Sequence, residues 1–165
     1  MRLIAAAVAA LALSGCATAV QLPAAANARF DPVAWFTGVS HGDGTLHKLP
    51  SSPVRTSVDS IGRPDGAGGM ILDQTLREPG KPARKREWVM RPVSPGHFTG
   101  ALTEATGPVD ITVSGSRAFI RYPIKGGLEV RQQLALQSDG RTILTRLSVR
   151  KFGLEVAYLD ETIRK

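Results

Sequence analysis

Three histidines, one cysteine and fourteen acidic residues are the side chains from which catalysis or metal binding would have to be built in this chain. His41 and His47 fall on one face of an extended segment, about 20 Å apart, too far for one metal ion to bridge. Either alone would serve haem only in a deep apolar pocket, and neither neighbourhood is apolar, so no cofactor is expected. His97 follows Pro95-Gly96 and reads as a turn residue at a strand end. Gly38, Gly42 and Gly44 share the opposite face of the first segment. A phosphate-cradling loop needs a helix after it, and Leu46-His47-Lys48-Leu49-Pro50 offers none, so these glycines are expected to mark sharp coiling and close backbone approach. No Gly-x-Ser-x-Gly elbow and no cysteine–histidine arrangement occurs. Ser114-Gly115-Ser116 reads as a hairpin, and Asp160 and Glu161 project to opposite faces of a strand. The expectation is a protein without a catalytic site.

The lone Cys16 has a different chemistry. It closes Leu13-Ser14-Gly15-Cys16 after an apolar run from Leu3 to Leu13 that follows Met1-Arg2. A short basic start, about ten apolar residues and small residues before a cut describe an export signal, and the run is too short to span a bilayer. The stretch resembles a bacterial lipobox, in which the cysteine thiol takes a diacylglyceryl group and the chain is cut before it. Cys16 is therefore the expected lipidation site, with residues 1–15 a signal peptide, 16–29 a flexible Ala-rich tether and 30–165 a single domain. Ala17 follows the anchor where an aspartate would hold an enteric lipoprotein at the inner membrane. By that resemblance the expected place is the outer membrane, facing the periplasm.

The elements that must carry such a domain are strands. Seventeen glycines and eleven prolines point to many turns, and with Cys16 lipidated no thiol remains for a disulfide. Turn signals recur about every eight to twelve residues after Phe36, the spacing of an antiparallel barrel or sandwich. The expected strands are 36–48, 54–61, 69–77, 84–92, 97–104, 108–114, 117–123, 128–137, 142–150 and 153–163. Met70, Leu72, Gln74 and Leu76 alternate against Ile71, Asp73, Thr75 and Arg77, giving one dry and one wet face. Phe30 to Gly38 reads either as an apolar plug at one end of the sheet or as one helical turn. Sequential hairpins without crossover helices close most simply into an all-β, single antiparallel up-and-down barrel of about ten strands. The net charge of +7 would suggest nucleic acid in another compartment; export removes that partner, so no nucleic acid is expected. The one basic cluster, Lys81 to Arg86, lies at an expected hairpin tip, as a solvated turn or a membrane-facing patch.

Phe30-Asp31-Pro32, Phe36-x-Gly38, Gly42-x-Gly44, Leu72-Asp73, Arg86-x-Trp88, Phe98-x-Gly100-x-Leu102, Arg121-Tyr122, Arg146 and Lys151-Phe152-Gly153 follow one another along the domain. In that order they resemble a family of bacterial lipoproteins known as domain of unknown function 3833, whose members look like lipocalin-type (calycin) barrels. The resemblance implies a fold and no activity. Two positions depart from the pattern: Asp43 stands where an aromatic is usual, and Gln74 where a Glu is usual. In the family pattern an interior Glu would pair with an interior Arg. Here Gln74 leaves Arg86 short of charge compensation, at a cost of several kcal/mol, roughly, unless another acid supplies it or the cavity is wet. Glu104, Asp110 and Asp160 are the candidates.

A lipocalin-like barrel anchored in the envelope is expected to bind a lipid or other hydrophobic small molecule. Trp35, Met70, Leu72, Gln74, Arg86, Trp88, Met90 and Tyr122 are the expected lining, with Gln74 and Arg86 at a polar head group. The alternative is a non-enzymatic assembly module whose barrel is packed solid and whose outside binds another envelope protein.

Overall fold

The structure is a computed structural model and describes residues 20–165. Cys16 and the expected signal peptide lie outside the described residues. A short helix, α1 (Pro32–Phe36), precedes ten strands: β1 (Gly38–Lys48), β2 (Val54–Pro64), β3 (Met70–Arg77), β4 (Arg84–Ser94), β5 (His97–Leu102), β6 (Val109–Ser114), β7 (Arg117–Ile124), β8 (Leu128–Leu136), β9 (Thr142–Lys151) and β10 (Leu154–Arg164). Each strand pairs antiparallel with its neighbour in sequence, and β1 pairs with β10 from His41↔Arg164 to Lys48↔Ala157. The sheet is a closed up-and-down barrel, as the run of hairpins predicts. Closure leaves no unpaired edge for another chain to extend.

The strand positions agree with the sequence reading apart from a few terminal residues. β2 and β4 run further than expected, to Pro64 and Ser94, and the register of β4 with β5 shifts between Pro92 and Ser94. Proline is tolerated there because a bulge or a strand end needs no ladder N–H.

One end of the barrel is sealed by both things Phe30 to Gly38 suggested. The Asp31 carboxylate caps α1, accepting from the Val33 and Ala34 N–H groups at 3.0 and 3.1 Å, and Pro32 starts the helix where no N–H is needed. Phe30, Trp35 and Phe36 are buried as a plug against the core of Met70, Leu72, Met90, Ile111, Leu134, Leu136 and Ile163. Each such side chain contributes about 1.5–3 kcal/mol of hydrophobic stabilisation. Gly62 admits the plug, since a Cβ there would overlap the Phe36 carbonyl.

The expected tether ends earlier than its composition suggests. Ala25 donates its N–H to the Leu136 carbonyl at 2.9 Å, Ser116 Oγ donates to the Ala25 carbonyl at 2.6 Å, and Gln137 Nε2 donates to the Pro23 carbonyl at 2.8 Å. These contacts explain a break in alternation on β8, where Leu134, Ala135 and Leu136 are all buried. The segment covers what would be the wet side of the strand end. An Ala-rich stretch carries no periodicity to announce such docking, because its main chain makes the bonds.

Candidate functional site

Between the plug and the middle of the barrel lies a cavity of about 70 Å³. That is room for about two water molecules or a small chemical group. Phe30, Phe36, Met70, Leu72, Met90 and Ile163 form its apolar part, and Gln74, Arg86, Gln132 and Glu161 its polar wall. Beyond the wall Leu46, Val54, Leu76 and Leu159 continue the inward face of their strands toward the open end, each only partly buried.

Gln74 organises the polar wall. Register places it opposite Arg86 on β4 and Ser60 on β2, all three pointing inward. Its Oε1 accepts from Arg86 Nε at 2.7 Å and from Trp88 Nε1 at 2.8 Å, while its Nε2 donates to Ser60 Oγ at 2.9 Å. The amide thereby satisfies the indole and one guanidinium N–H, which a hydrophobic residue would leave unpaired. The Arg86 guanidinium also sits 5.7 Å from the Trp88 ring centroid, and Trp88 meets Tyr122 edge to face at 5.6 Å.

The charge missing at Gln74 comes from elsewhere. Of the three candidates, Glu104 approaches Arg86 at 4.0 Å; Asp110 is exposed, and Asp160 lies on the outside, bonded to Arg146 Nη1 at 2.9 Å. A further acid, Glu161, faces the cavity beside Arg86. Burial pushes its carboxyl above the usual range, with Arg86 opposing the shift. Burial likewise pushes the Tyr122 phenol up to about 12, Arg86 lowering it and Glu104 adding to the rise. Glu104 Oε2 and the hydroxyls of Ser40 and Thr56 are buried and make no hydrogen bond among the described residues. The wall thus offers donors and acceptors side by side, fit for the polar end of a mostly apolar molecule.

Six of the eight expected lining residues meet at the cavity: Met70, Leu72, Gln74, Arg86, Trp88 and Met90. Trp35 does not; it belongs to the plug and donates Nε1 to the Gly140 carbonyl at 3.0 Å. Tyr122 stands behind Trp88, away from the cavity. Glu161 and Gln132 were not anticipated. For Glu161 a signal existed, because alternation sets it opposite Asp160 and therefore inward, over the glycines of β1. Arg86 turns inward as its alternation with Trp88 predicts, which parts it from the basic cluster, where Lys81 and Arg84 gather around Glu78 at 2.6 and 3.7 Å.

The histidines are on the outside. His41 bonds through Nδ1 to Asp59 at 2.6 Å and through Nε2 to Asp43 at 3.3 Å; the Asp59 bond leads the causes that raise its pKa, and it in turn lowers that of Asp59. His47 stacks on Tyr158 with ring centroids 4.3 Å apart. Among the described residues no group of three or more His, Cys, Asp or Glu side chains is placed to hold a metal ion.

Two solved structures share the fold. One is a protein of unknown function of the DUF3598 family from Nostoc punctiforme, with TM-score 0.61, 12% identity, and coverage of 84% of this chain and 50% of that one. This chain thus spans half the length of the Nostoc protein. The other is the S-type phycobiliprotein lyase CPES from Guillardia theta, with TM-score 0.62, 4% identity, and coverage of 81% of this chain and 89% of that one. At these identities the likeness shows a lipocalin-like fold. No curated protein matches the sequence. The family profile that does match spans residues 10–165, which includes the plug, every strand and the polar wall, and the chain belongs to that family, the proteins of unknown function DUF3833.

Proposed function

We propose that the barrel binds a lipid or another hydrophobic small molecule whose polar head rests against Gln74, Arg86 and Glu161. The observation that carries this reading is the cavity itself, apolar from the plug upward and ending on a hydrogen-bonded wall that holds a guanidinium and a carboxyl. A packed core would have had no reason to bear the cost of two interior ionisable groups. The polar end of the molecule meets the wall, and the Phe30, Phe36, Met70 and Ile163 side of the cavity takes an apolar part. We read the protein as a binder without turnover. The Guillardia protein of the same fold is called a lyase, so the bound molecule is to be compared before and after incubation.

The address belongs to the same reading: Cys16 carries the lipid anchor and holds the barrel to the outer membrane, facing the periplasm. The lipobox-like sequence supports it. A diacylglyceryl mass on the N-terminal peptide beginning at Cys16 is the expected result, and a free thiol there would refute it.

Native mass spectrometry of residues 20–165, purified from a periplasm, tests the binding. A discrete added mass that organic extraction removes, and that an Arg86→Leu variant lacks, is expected. A bare mass that does not change on adding envelope lipids overturns the carrier. The small volume of the cavity then favours the second reading, a solid barrel that binds another envelope protein through its outside.

A further inference from the structure

The end of the barrel opposite the plug is rimmed by strand turns, among them those joining β1 to β2, β3 to β4, β7 to β8 and β9 to β10. The β1–β2 and β9–β10 turns are neighbours across the β1–β10 pairing, and the Leu49 N–H donates to the carbonyl of Val156 on β10 at 3.3 Å. On this pair of turns three large apolar side chains face solvent: Leu49 is 72% exposed, Phe152 91% and Leu154 73%. None of them gains from the core. Phe152 is held at a cost as well. Its φ of 49° lies in the left-handed region, where a bulky side chain is strained and where Asn or Gly would sit without difficulty in the same two-residue turn.

Charge surrounds these tips. Lys85, Lys125, Arg150 and Lys151 belong to the rim turns and the strand ends beside them, and none has a carboxylate within ion-pair distance among the described residues. Of the acids near the same end, Glu78 is engaged with Lys81, Arg84 and Lys48, Glu129 with Arg121 and Arg131, Glu155 with Arg146 and Glu104 with Arg86, while Glu87, two residues along β4 from Lys85, makes no ion pair among the described residues. The rim therefore presents an excess of unpaired cations around separate apolar points.

We propose that this rim docks on an anionic lipid surface, with Phe152, Leu154 and Leu49 entering the head-group layer and the neighbouring lysines and Arg150 meeting lipid phosphates. Isolated apolar tips on different turns suit a fluid layer, which closes around each of them, whereas a rigid protein partner needs one contiguous patch. Basic residues beside an anionic membrane add to the attraction and make it salt-dependent. The inference stands without the interior ligand. Docking in this way would also set the open end of the barrel against the membrane.

Residues 20–165 contain the closed sheet and its plug, so that chain can be floated with vesicles without an acyl anchor. Vesicles of phosphatidylcholine with about one-third phosphatidylglycerol are expected to carry the protein at low salt, about tenfold more than pure phosphatidylcholine, and to release it near about 0.5 M salt. Phe152→Asn separates docking from folding. It relieves the left-handed strain, so thermal stability is expected to stay level or rise while vesicle binding falls about tenfold. Equal binding to neutral and anionic vesicles, no binding at low salt, or undiminished binding by Phe152→Asn would each overturn the proposal.

Discussion

Glu161 lays its carboxylate over Gly42. The two strands pair across the seam that closes the barrel, Gly44 opposite Glu161 and Gly42 opposite Ile163, and a Cβ built on Gly42 would overlap Glu161 Oε1. The bare backbone of β1 is what lets an acidic side chain lie flat inside the wall.

Gly42→Ala is therefore expected to destabilise the barrel by about 1 kcal/mol, the carboxylate end of Glu161 having to turn aside. In a Glu161→Ala background most of that loss should vanish, because the atom it strikes is gone. Denaturant titrations of the four chains check this. Equal costs in both backgrounds would mean that the glycine serves strand coiling alone.

The carboxyl of Glu161 is raised by burial, and the sign of its linkage follows. Below the ordinary carboxylate range it is protonated in both states and costs nothing. As pH rises toward its raised folded pKa the unfolded chain loses the proton first, and stability falls. Glu161→Gln should be free of that loss, more stable than the wild type at neutral pH and no different from it in acid. Unfolding midpoints measured against pH would show curves that diverge as pH rises; parallel curves would contradict the assignment.

Gln74→Leu leaves Arg86 Nε and Trp88 Nε1 without their shared acceptor, at an expected cost of about 3 kcal/mol. Gln74→Glu keeps the acceptor oxygen that Arg86 and Trp88 share and adds a charge for Arg86, with Ser60 free to turn donor, so it should recover most of that stability. Thermal melts of the two variants decide the matter, and a Glu variant as weak as the Leu variant would show that the amide nitrogen is indispensable.

His41 gives a prediction on the outside. Its folded pKa is raised, so the contact with Asp59 contributes below the ordinary histidine value and is lost as pH rises through the folded one. An NMR titration should place the His41 midpoint above that of a free histidine, and Asp59→Asn should bring it down. A midpoint unmoved by the substitution would assign the shift to another group.

The order of strands, the dry and wet faces of β3 and the alternation of Gln74 with Leu72 could all be read along the chain, because period two is a local property of extended backbone. Turns at Pro79-Gly80, Gly126-Gly127 and Ser138-Asp139-Gly140 were equally local, each carried by residues that bend the chain without help. The inward course of Gln74 and Arg86 followed from the same rule. What it could not say is which inward groups meet across the barrel. Glu104 rather than Asp110 or Asp160 answers Arg86, Glu161 joins them over Gly42, Tyr122 falls behind Trp88, and Trp35 turns to Gly140 in the plug. Alternation assigns a face and nothing more. Depth along the barrel axis and the neighbour across the lumen depend on strand stagger and on the β1–β10 closure, which join residues more than a hundred positions apart, so only the tertiary structure decided them.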